Sequence, residues 1–190
     1  DVRHNFVLAA NYELPWGNGK RWGSNWSGVT DAVLGGWKVS AIFQARTGFP
    51  ITVQNSNRRS LQGTRSTEWP NCIGNPVPAH QSITSDPNAP NDSKWLDITA
   101  FQVPALGTFG TCGTGIATAP GYNNVDASLS KRFKAGGARY LEVRAEAFNL
   151  LNHPNFGPPG RDINTLQTFG IITSTVGNPR VIELVAKFFF

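Results

Sequence analysis

Two glutamates, Glu142 and Glu146, have the residue type and spacing for acid/base chemistry. A pair of carboxylates can cleave a glycosidic bond when one acts as acid and the other as base or nucleophile. Both glutamates lie in an alternating stretch, where they would share one face of a β-strand with Arg144 between them. One hairpin register would also set Arg132 opposite Glu142. This pattern is typical of a solvated ladder of ion pairs, so we predict no catalytic residue and no enzymatic activity.

The histidines and the glycine-rich stretches suggest no stronger site. His4, His80 and His153 are far apart in the sequence and have no neighbouring ligand at metal spacing. His153 lies near Asp162, but a single loop histidine is more often solvated than catalytic. The segment at residues 17–20 is faintly similar to a phosphate-binding loop, but its glycine spacing is wrong and no Ser or Thr follows the lysine. We therefore predict no metal site and no cofactor.

The two cysteines, Cys72 and Cys112, fall in the longest irregular region and lack the C-x-x-C spacing of metal ligands. The favoured interpretation is one disulfide formed in an oxidising compartment. Two unpaired buried thiols are the alternative. Closing a loop of this length would stabilise the fold by on the order of 4 kcal/mol in the chain-entropy model.

Alternation of apolar and polar residues predicts five β-strands, at residues of about 3–14, 37–47, 123–133, 139–150 and 180–190. A tight turn of three residues containing Gly136 and Gly137 would join the third strand to the fourth. The last strand has Glu183 and Lys187 in one row. Its other row is wholly apolar and consists of Ile182, Leu184, Ala186, Phe188 and Phe190.

The connections divide into long and short ones. Residues 48–121 and 151–179 are rich in Pro, Gly, Asn, Ser and Thr and show no sustained period. Loops of this length are unusual in a compact soluble domain but typical of one side of an outer-membrane barrel. No run approaches the ~18 apolar residues of a membrane helix, so any crossing would use strands.

The predicted fold class is all-β: an antiparallel up-and-down meander of about five strands, forming the C-terminal part of a larger transmembrane β-barrel and one partial barrel domain at residues 1–190. The alternative is a soluble β-sandwich carbohydrate-binding module whose apolar rows form the core. The first residues do not have the pattern of a signal peptide, and we expect the sequence to be part of a longer chain.

The net charge of +5 would permit nucleic-acid binding, but the basic residues are scattered. The one dense cluster, Arg58, Arg59 and Arg65, lies in a Ser/Asn/Gly-rich stretch that favours a solvated loop. Nucleic acid is therefore not predicted as a partner.

Aromatic residues collect at one end of the predicted strands. If Phe190 ends at the periplasmic face, both long loops fall outside and the Gly136-Gly137 turn falls inside. Lys131 interrupts an apolar row near this inner end and would snorkel to the interface. The connection at residues 15–36 is longer than a periplasmic turn should be. The predicted inner aromatic girdle comprises Tyr12, Trp16, Trp37, Phe133 and Tyr140, together with Phe188 and Phe190.

The long outer loop contains three further aromatic residues, Trp69, Trp95 and Phe109. Their rings could stack on a sugar or peptide ligand, which makes them possible ligand-facing residues. The preferred interpretation is that they pin the loop to itself.

Several stretches together carry a family resemblance. They are Asp1 to Phe6, Tyr12 to Gly17, Leu34 to Trp37, Thr47 to Pro50, Gly121 to Asp126, Arg144 to Phe156 and the terminal strand. These stretches resemble the barrel end of a TonB-dependent outer-membrane receptor, specifically of the Oar-like group. The stretch from Arg144 to Phe156 is the most specific.

The resemblance implies a barrel of about 22 strands with an N-terminal plug, of which this chain would hold the last five strands and no plug. It also implies import of a scarce ligand across the Gram-negative outer membrane. The expected partners are the remaining strands and plug of the same receptor, outer-membrane lipid, the barrel-assembly machinery that reads the terminal strand, and TonB through segments this chain lacks.

Overall fold

The structure is a computed structural model and describes residues 1–62 and 68–190, so Arg65 of the basic cluster lies outside the described residues. No helix in these two ranges combines the length and apolar character that crossing a membrane requires. In chain order the elements are β1 (Asn5–Glu13), α1 (Gly28–Leu34), β2 (Trp37–Arg46), β3 (Pro50–Ile51), β4 (Asn71–Cys72), β5 (Phe101–Gln102), β6 (Ala117–Thr118), β7 (Tyr122–Lys134), β8 (Tyr140–Phe148) and β9 (Val181–Phe189), with 3₁₀ turns at Asn91–Ser93 and Ile98–Ala100.

The five long strands form one sheet in the order β1-β2-β7-β8-β9. Each long strand therefore pairs with the next long strand along the chain, which is the order of an up-and-down meander. The predicted all-β antiparallel meander is confirmed. The observed bounds of these strands differ from the predicted ones by at most two residues at either end.

The hairpin between β7 and β8 has the one register named from the sequence among those that parity permits, with Arg132 opposite Glu142. Ala135 N donates to Arg139 O over 2.9 Å, which leaves residues 136–138 as a three-residue turn. Gly136 and Gly137 have φ values of 95° and 59°, a left-handed conformation that glycine adopts without steric cost. The turn chemistry thus fixes which residues of the two strands face each other.

The chain divides into two compact units. The sheet unit comprises residues 5–45, 123–154 and 177–190, and the loop unit comprises residues 1–4, 46–122 and 155–176. The two segments predicted as long irregular loops thus contribute to a unit with a hydrophobic core of its own. Buried members of that core are Ile51, Val53, Leu96, Ala100, Phe101, Cys112, Ala117, Ile163 and Phe169.

A disulfide joins Cys72 and Cys112 in the loop unit, with their Cα atoms 5.0 Å apart. Cys72 lies in β4, which pairs with β5, while Cys112 N donates to Pro70 O over 3.0 Å. A Cβ added to nearby Gly110 would lie 2.0 Å from Trp69 O, so only glycine allows this close approach. Main-chain contacts of this kind hold together a unit whose strands are only two residues long.

Candidate functional site

The charged residues of the sheet unit collect on one face. The Glu142 side chain is buried and lies between two guanidinium groups: Arg132 Nε is 2.8 Å from its Oε2, and Arg144 Nη2 is 2.7 Å from its Oε1. Arg144 Nη1 also contacts Glu146 Oε1 at 3.0 Å. Both oxygens of Glu142 are thus occupied by structural partners. The geometry is that of an ion-pair ladder, and the absence of enzymatic activity stays a prediction.

The same charged face continues onto β1 and β2. The Glu13 carboxylate forms two salt bridges: Lys38 Nζ is 3.2 Å from Oε1, and Lys20 Nζ is 3.3 Å from Oε2. A groove of about 420 Å³ runs between the two clusters and brings both signs of charge together. A surface with this much charge requires water or polar ligand beside it, because desolvating charges is costly. The groove is lined by Glu13, Lys38, Ser40, Ser128, Ser130, Arg132, Glu142 and Arg144, among others.

The opposite face of the sheet is apolar, and it is most exposed on the edge strands β1 and β9. Leu184 is 81% exposed, Ile182 65% and Phe188 54%, and Phe6 and Leu8 on β1 are also exposed. Exposed apolar rows of this kind mark a region that contacts lipid or another protein. In the β-sandwich alternative these rows would be buried in a core.

Four members of the predicted aromatic girdle lie at the end of the sheet unit near α1. Trp37 Nε1 donates to Val33 O over 2.8 Å, which ties the Trp37 ring to the helix. Tyr12 and Trp16 are exposed, and Phe133 is half-buried near the end of β7. Amphipathic rings at one end of a sheet suit the boundary between hydrocarbon and water.

Tyr140 departs from the predicted girdle. It lies in the row of Glu142 and Arg144, and it stacks on Phe189 with ring centroids 4.4 Å apart. The Arg132 guanidinium lies 5.1 Å from the Tyr140 ring centroid. Because neighbouring residues of a strand point to opposite faces, Tyr140 belongs to the charged face and the adjacent Leu141 to the apolar one.

Lys131 is buried, and its ammonium group does not snorkel to water as predicted. It donates to Asp31 O over 3.2 Å and to Gly35 O at the carboxyl end of α1. The rings of Trp37 and Phe133 lie 5.7 and 5.1 Å from the ammonium nitrogen. Asp31 O also accepts from Gly35 N over 3.0 Å, whereas Gly35 O lies beyond the last helical residue, where carbonyl groups lack intrahelical partners and attract cations. The unexpectedly long connection at residues 15–36 thus supplies the partner of this lysine.

The three loop aromatics have different environments within the loop unit. Trp95 Nε1 donates to Thr118 O over 2.8 Å, so this ring pins one part of the unit to another. Trp69 and Phe109 are 41% and 66% exposed. Of the three predicted ligand-facing rings, Trp69 and Phe109 are therefore the ones that are exposed to solvent.

Sequence reasoning missed a cation flanked by two rings. The Arg46 guanidinium carbon lies 5.1 Å from the Phe49 ring centroid and 4.8 Å from that of Tyr122. All three residues belong to the loop unit. Phe49 and Tyr122 both fall in stretches that carry the family resemblance. An aromatic residue in such a stretch is the feature of the sequence from which this site could have been found.

A carboxylate organises the main chain elsewhere in the loop unit. Glu68 Oε2 accepts from Arg59 N over 2.8 Å and Ser60 N over 3.1 Å, while Oε1 accepts from the Ser60 hydroxyl. Hydrogen bonding from the Ser60 hydroxyl and from Arg59 N lowers the pKa of Glu68 below its ordinary value of 4.5. The ionised carboxylate is therefore the form that stabilises this part of the fold.

We expect the loop unit to lose stability as the pH falls below about 4.5, the ordinary pKa of Glu68. A depressed folded-state pKa stabilises the fold above the unfolded-state value, and this contribution disappears as the carboxylate is protonated. Glu68→Gln should lower stability at neutral pH and flatten the pH dependence. Limited proteolysis of the loop unit across a pH series would measure both effects.

Asp162 is a second carboxylate of the loop unit whose protonation should destabilise the fold. Burial raises its pKa, but hydrogen bonds from Ser56 and Asn164 outweigh burial, so its net pKa is lowered. Glu68→Gln should therefore reduce the acid sensitivity of the loop unit, and combining it with Asp162→Asn should reduce that sensitivity further. An unchanged pH profile in Glu68→Gln would contradict the role given to Glu68.

The sheet has the construction of a transmembrane β-barrel wall: antiparallel strands with one exposed apolar face and one charged face. The family model described as "Outer membrane beta barrel domain" matches residues 1–183, and the chain belongs to this family. It is therefore a protein of the Gram-negative outer membrane with a role in a barrel wall, as predicted. Comparisons with curated proteins and with solved structures gave no match.

Proposed function

We propose that this chain forms wall strands and extracellular loops of a TonB-dependent outer-membrane receptor of the Oar-like group, which imports a scarce ligand. The observation that carries the proposal is the sheet with an exposed apolar face and a charged face, in a member of the outer-membrane barrel family. The sequence stretches that resemble this receptor group support the finer assignment.

The strand order supports an asymmetric arrangement of connections. In the antiparallel meander β2 and β8 run in the same direction, so the connections from β2 to β7 and from β8 to β9 leave from the same end of the sheet. The three-residue turn after β7 leaves from the other end, as does the longer connection of residues 14–36 between β1 and β2. Long connections at one end and short turns at the other are typical of outer-membrane barrels, whose long loops face outside.

The remainder of the receptor completes the barrel in this proposal. β1 and β9 are the edges of the described sheet, and a strand edge presents unpaired backbone groups. Transmembrane β-barrels of bacterial outer membranes have at least about eight strands. Further strands of the same receptor would therefore pair with these edges, its plug would fill the lumen, and TonB would contact the plug side. The apolar row of β9 would be read by the barrel-assembly machinery.

The proposal is tested with the full-length receptor in its own host. Outer-membrane fractionation and gel mobility with and without heating establish the barrel. Growth or uptake on limiting nutrients, compared between cells with and without TonB, establishes the energy source. We expect heat-modifiable protein in the outer membrane and nutrient uptake that is lost without TonB.

Two other results would change the assignment in different ways. A heat-modifiable outer-membrane protein whose uptake is the same without TonB would be a passive barrel. A soluble, monomeric periplasmic protein would overturn the barrel itself and would direct attention to the carbohydrate-binding alternative through a glycan screen.

A further inference from the structure

We propose that the loop unit binds a small carboxylate with a flat apolar body, and that Arg46 is the residue that receives the carboxylate. Arg46 is half-buried at the end of β2, and its guanidinium carbon lies 4.8 Å from the Tyr122 ring centroid and 5.1 Å from that of Phe49. Contact with two rings fixes the guanidinium in place and reduces the entropy that a ligand would otherwise have to overcome.

The N–H donors of the Arg46 guanidinium have no hydrogen-bond partner on the part of the chain that is described. Across residues 1–62 and 68–190, no acceptor lies in hydrogen-bond geometry with this guanidinium and no carboxylate lies within 4.0 Å. Cation–π contact engages the face of an aromatic ring and leaves the N–H groups available. A planar fork of free N–H donors matches the two oxygens of a carboxylate.

The surroundings of Arg46 determine the rest of the ligand. A cavity of about 260 Å³ adjoins the guanidinium within the loop unit. Ligand pockets for drug-sized molecules start at about 300 Å³, so this one suits a single ring with a short substituent. Most of the lining is apolar and includes Phe49, Pro120, Tyr122, Phe156, Pro158 and Val176.

Main-chain contacts hold the cavity walls in a preformed arrangement. Ala119 N donates to Phe49 O over 2.8 Å, and Val176 N donates to Asn155 O over 2.7 Å. A Cβ added to Gly48 would lie 1.7 Å from Ala119 O, so the two walls approach more closely there than any other residue would allow. A pocket whose backbone is already held by hydrogen bonds loses little conformational entropy when a ligand binds.

This inference rests on the proposed function only where it names the class of ligand for import. Binding itself requires the loop unit and not TonB. Carboxylate binding without TonB-dependent uptake would leave this inference standing and remove the proposed function. TonB-dependent uptake without carboxylate binding would do the reverse.

The test uses the full-length protein extracted from outer membranes in detergent and three probes, with binding measured by titration calorimetry. Benzoate carries both the ring and the carboxylate, benzyl alcohol only the ring, and acetate only the carboxylate. We expect benzoate to bind at least about tenfold more tightly than either control, because a charge-assisted hydrogen bond contributes about 1.5–3 kcal/mol. Equal affinity for benzoate and benzyl alcohol would overturn the proposal without any variant.

Variants then locate the site. Arg46→Gln should weaken benzoate binding by about 10- to 100-fold, and Arg46→Lys should also weaken it because the charge remains but the planar fork is lost. The matched control is Arg21→Gln, since Arg21 lies 5.7 Å from the ring centroid of Trp22 but does not line the cavity. Unheated gel mobility and an intact disulfide would show that each variant is folded. Unchanged benzoate affinity in a folded Arg46→Gln would overturn the assignment of Arg46.

Discussion

Replacing Cys72 and Cys112 by serine is expected to lower the free energy of unfolding of the loop unit by about 4 kcal/mol. The disulfide closes a loop with a sequence separation of 40, and it restrains a segment whose strands β4 and β5 are only two residues long. Cys112 is also buried in the core of the loop unit, so a serine hydroxyl there would add a desolvation cost. Limited proteolysis of the protein in outer membranes would measure the loss.

Two controls separate the causes of that loss. The matched double replacement by alanine removes the cross-link without burying a hydroxyl, so its difference from the serine variant isolates the hydroxyl. Wild-type protein treated with reductant should approach the alanine variant. The heat-modifiable gel shift of the barrel serves as an internal reference for the strands. Equal protease resistance of wild-type and alanine variants would contradict a stabilising role for this disulfide.

The sheet could be predicted because its rules are local. The long strands alternate apolar and polar side chains along most of their length, so period-two alternation was visible in the sequence. The parity of the charged rows, together with a glycine-containing turn, allowed a register that sets Arg132 opposite Glu142, and the structure has this register. Parity also placed Tyr140 in the charged row. The girdle prediction grouped Tyr140 by its position along the strand and overlooked the face on which it lies.

The loop unit could not be predicted because its order is not local. Its core joins Val53, Leu96 and Phe169, which are far apart in the sequence and lie in no periodic segment. Its strands β3 to β6 are too short to show alternation, and the backbone hydrogen bonds run largely between isolated residues such as Asn55 and Glu68. A sequence pattern that lacks any period can therefore describe a folded unit as well as a flexible loop.

The candidate binding residues share this difficulty. Arg46 and Tyr122 end one long strand and begin the next, with the intervening chain folded between them. The position of a cation between two rings depends on which strand ends lie side by side. That arrangement is set by tertiary contacts and not by the local sequence. Lys131 is a second example, since the carbonyl groups that receive its ammonium come from α1, about 100 residues away in the chain.

Because one face of β9 is apolar and the other charged, the same substitution should have a large effect on one face and a small effect on the other. Leu184 and Val185 are neighbours at the centre of β9 and point to opposite faces. Leu184→Arg should destabilise the barrel by about 2–4 kcal/mol, the cost of an arginine at the midplane of the lipid face. Val185→Arg should cost little, because that side chain would face the charged surface. Unfolding of the full-length protein in lipid vesicles would measure both variants.

The surroundings of Val185 explain why it is the matched control. Its cross-strand partner is Arg144, a cation that already contacts both Glu142 and Glu146. Glu183 lies two residues away on the same face and faces Glu146, so two carboxylates oppose each other there. An added cation at position 185 would lie among these carboxylates and compensate for the nearness of Arg144. Equal destabilisation of both variants would mean that the two faces of β9 contact the same medium. That result would contradict the assignment of a lipid-facing row to β9.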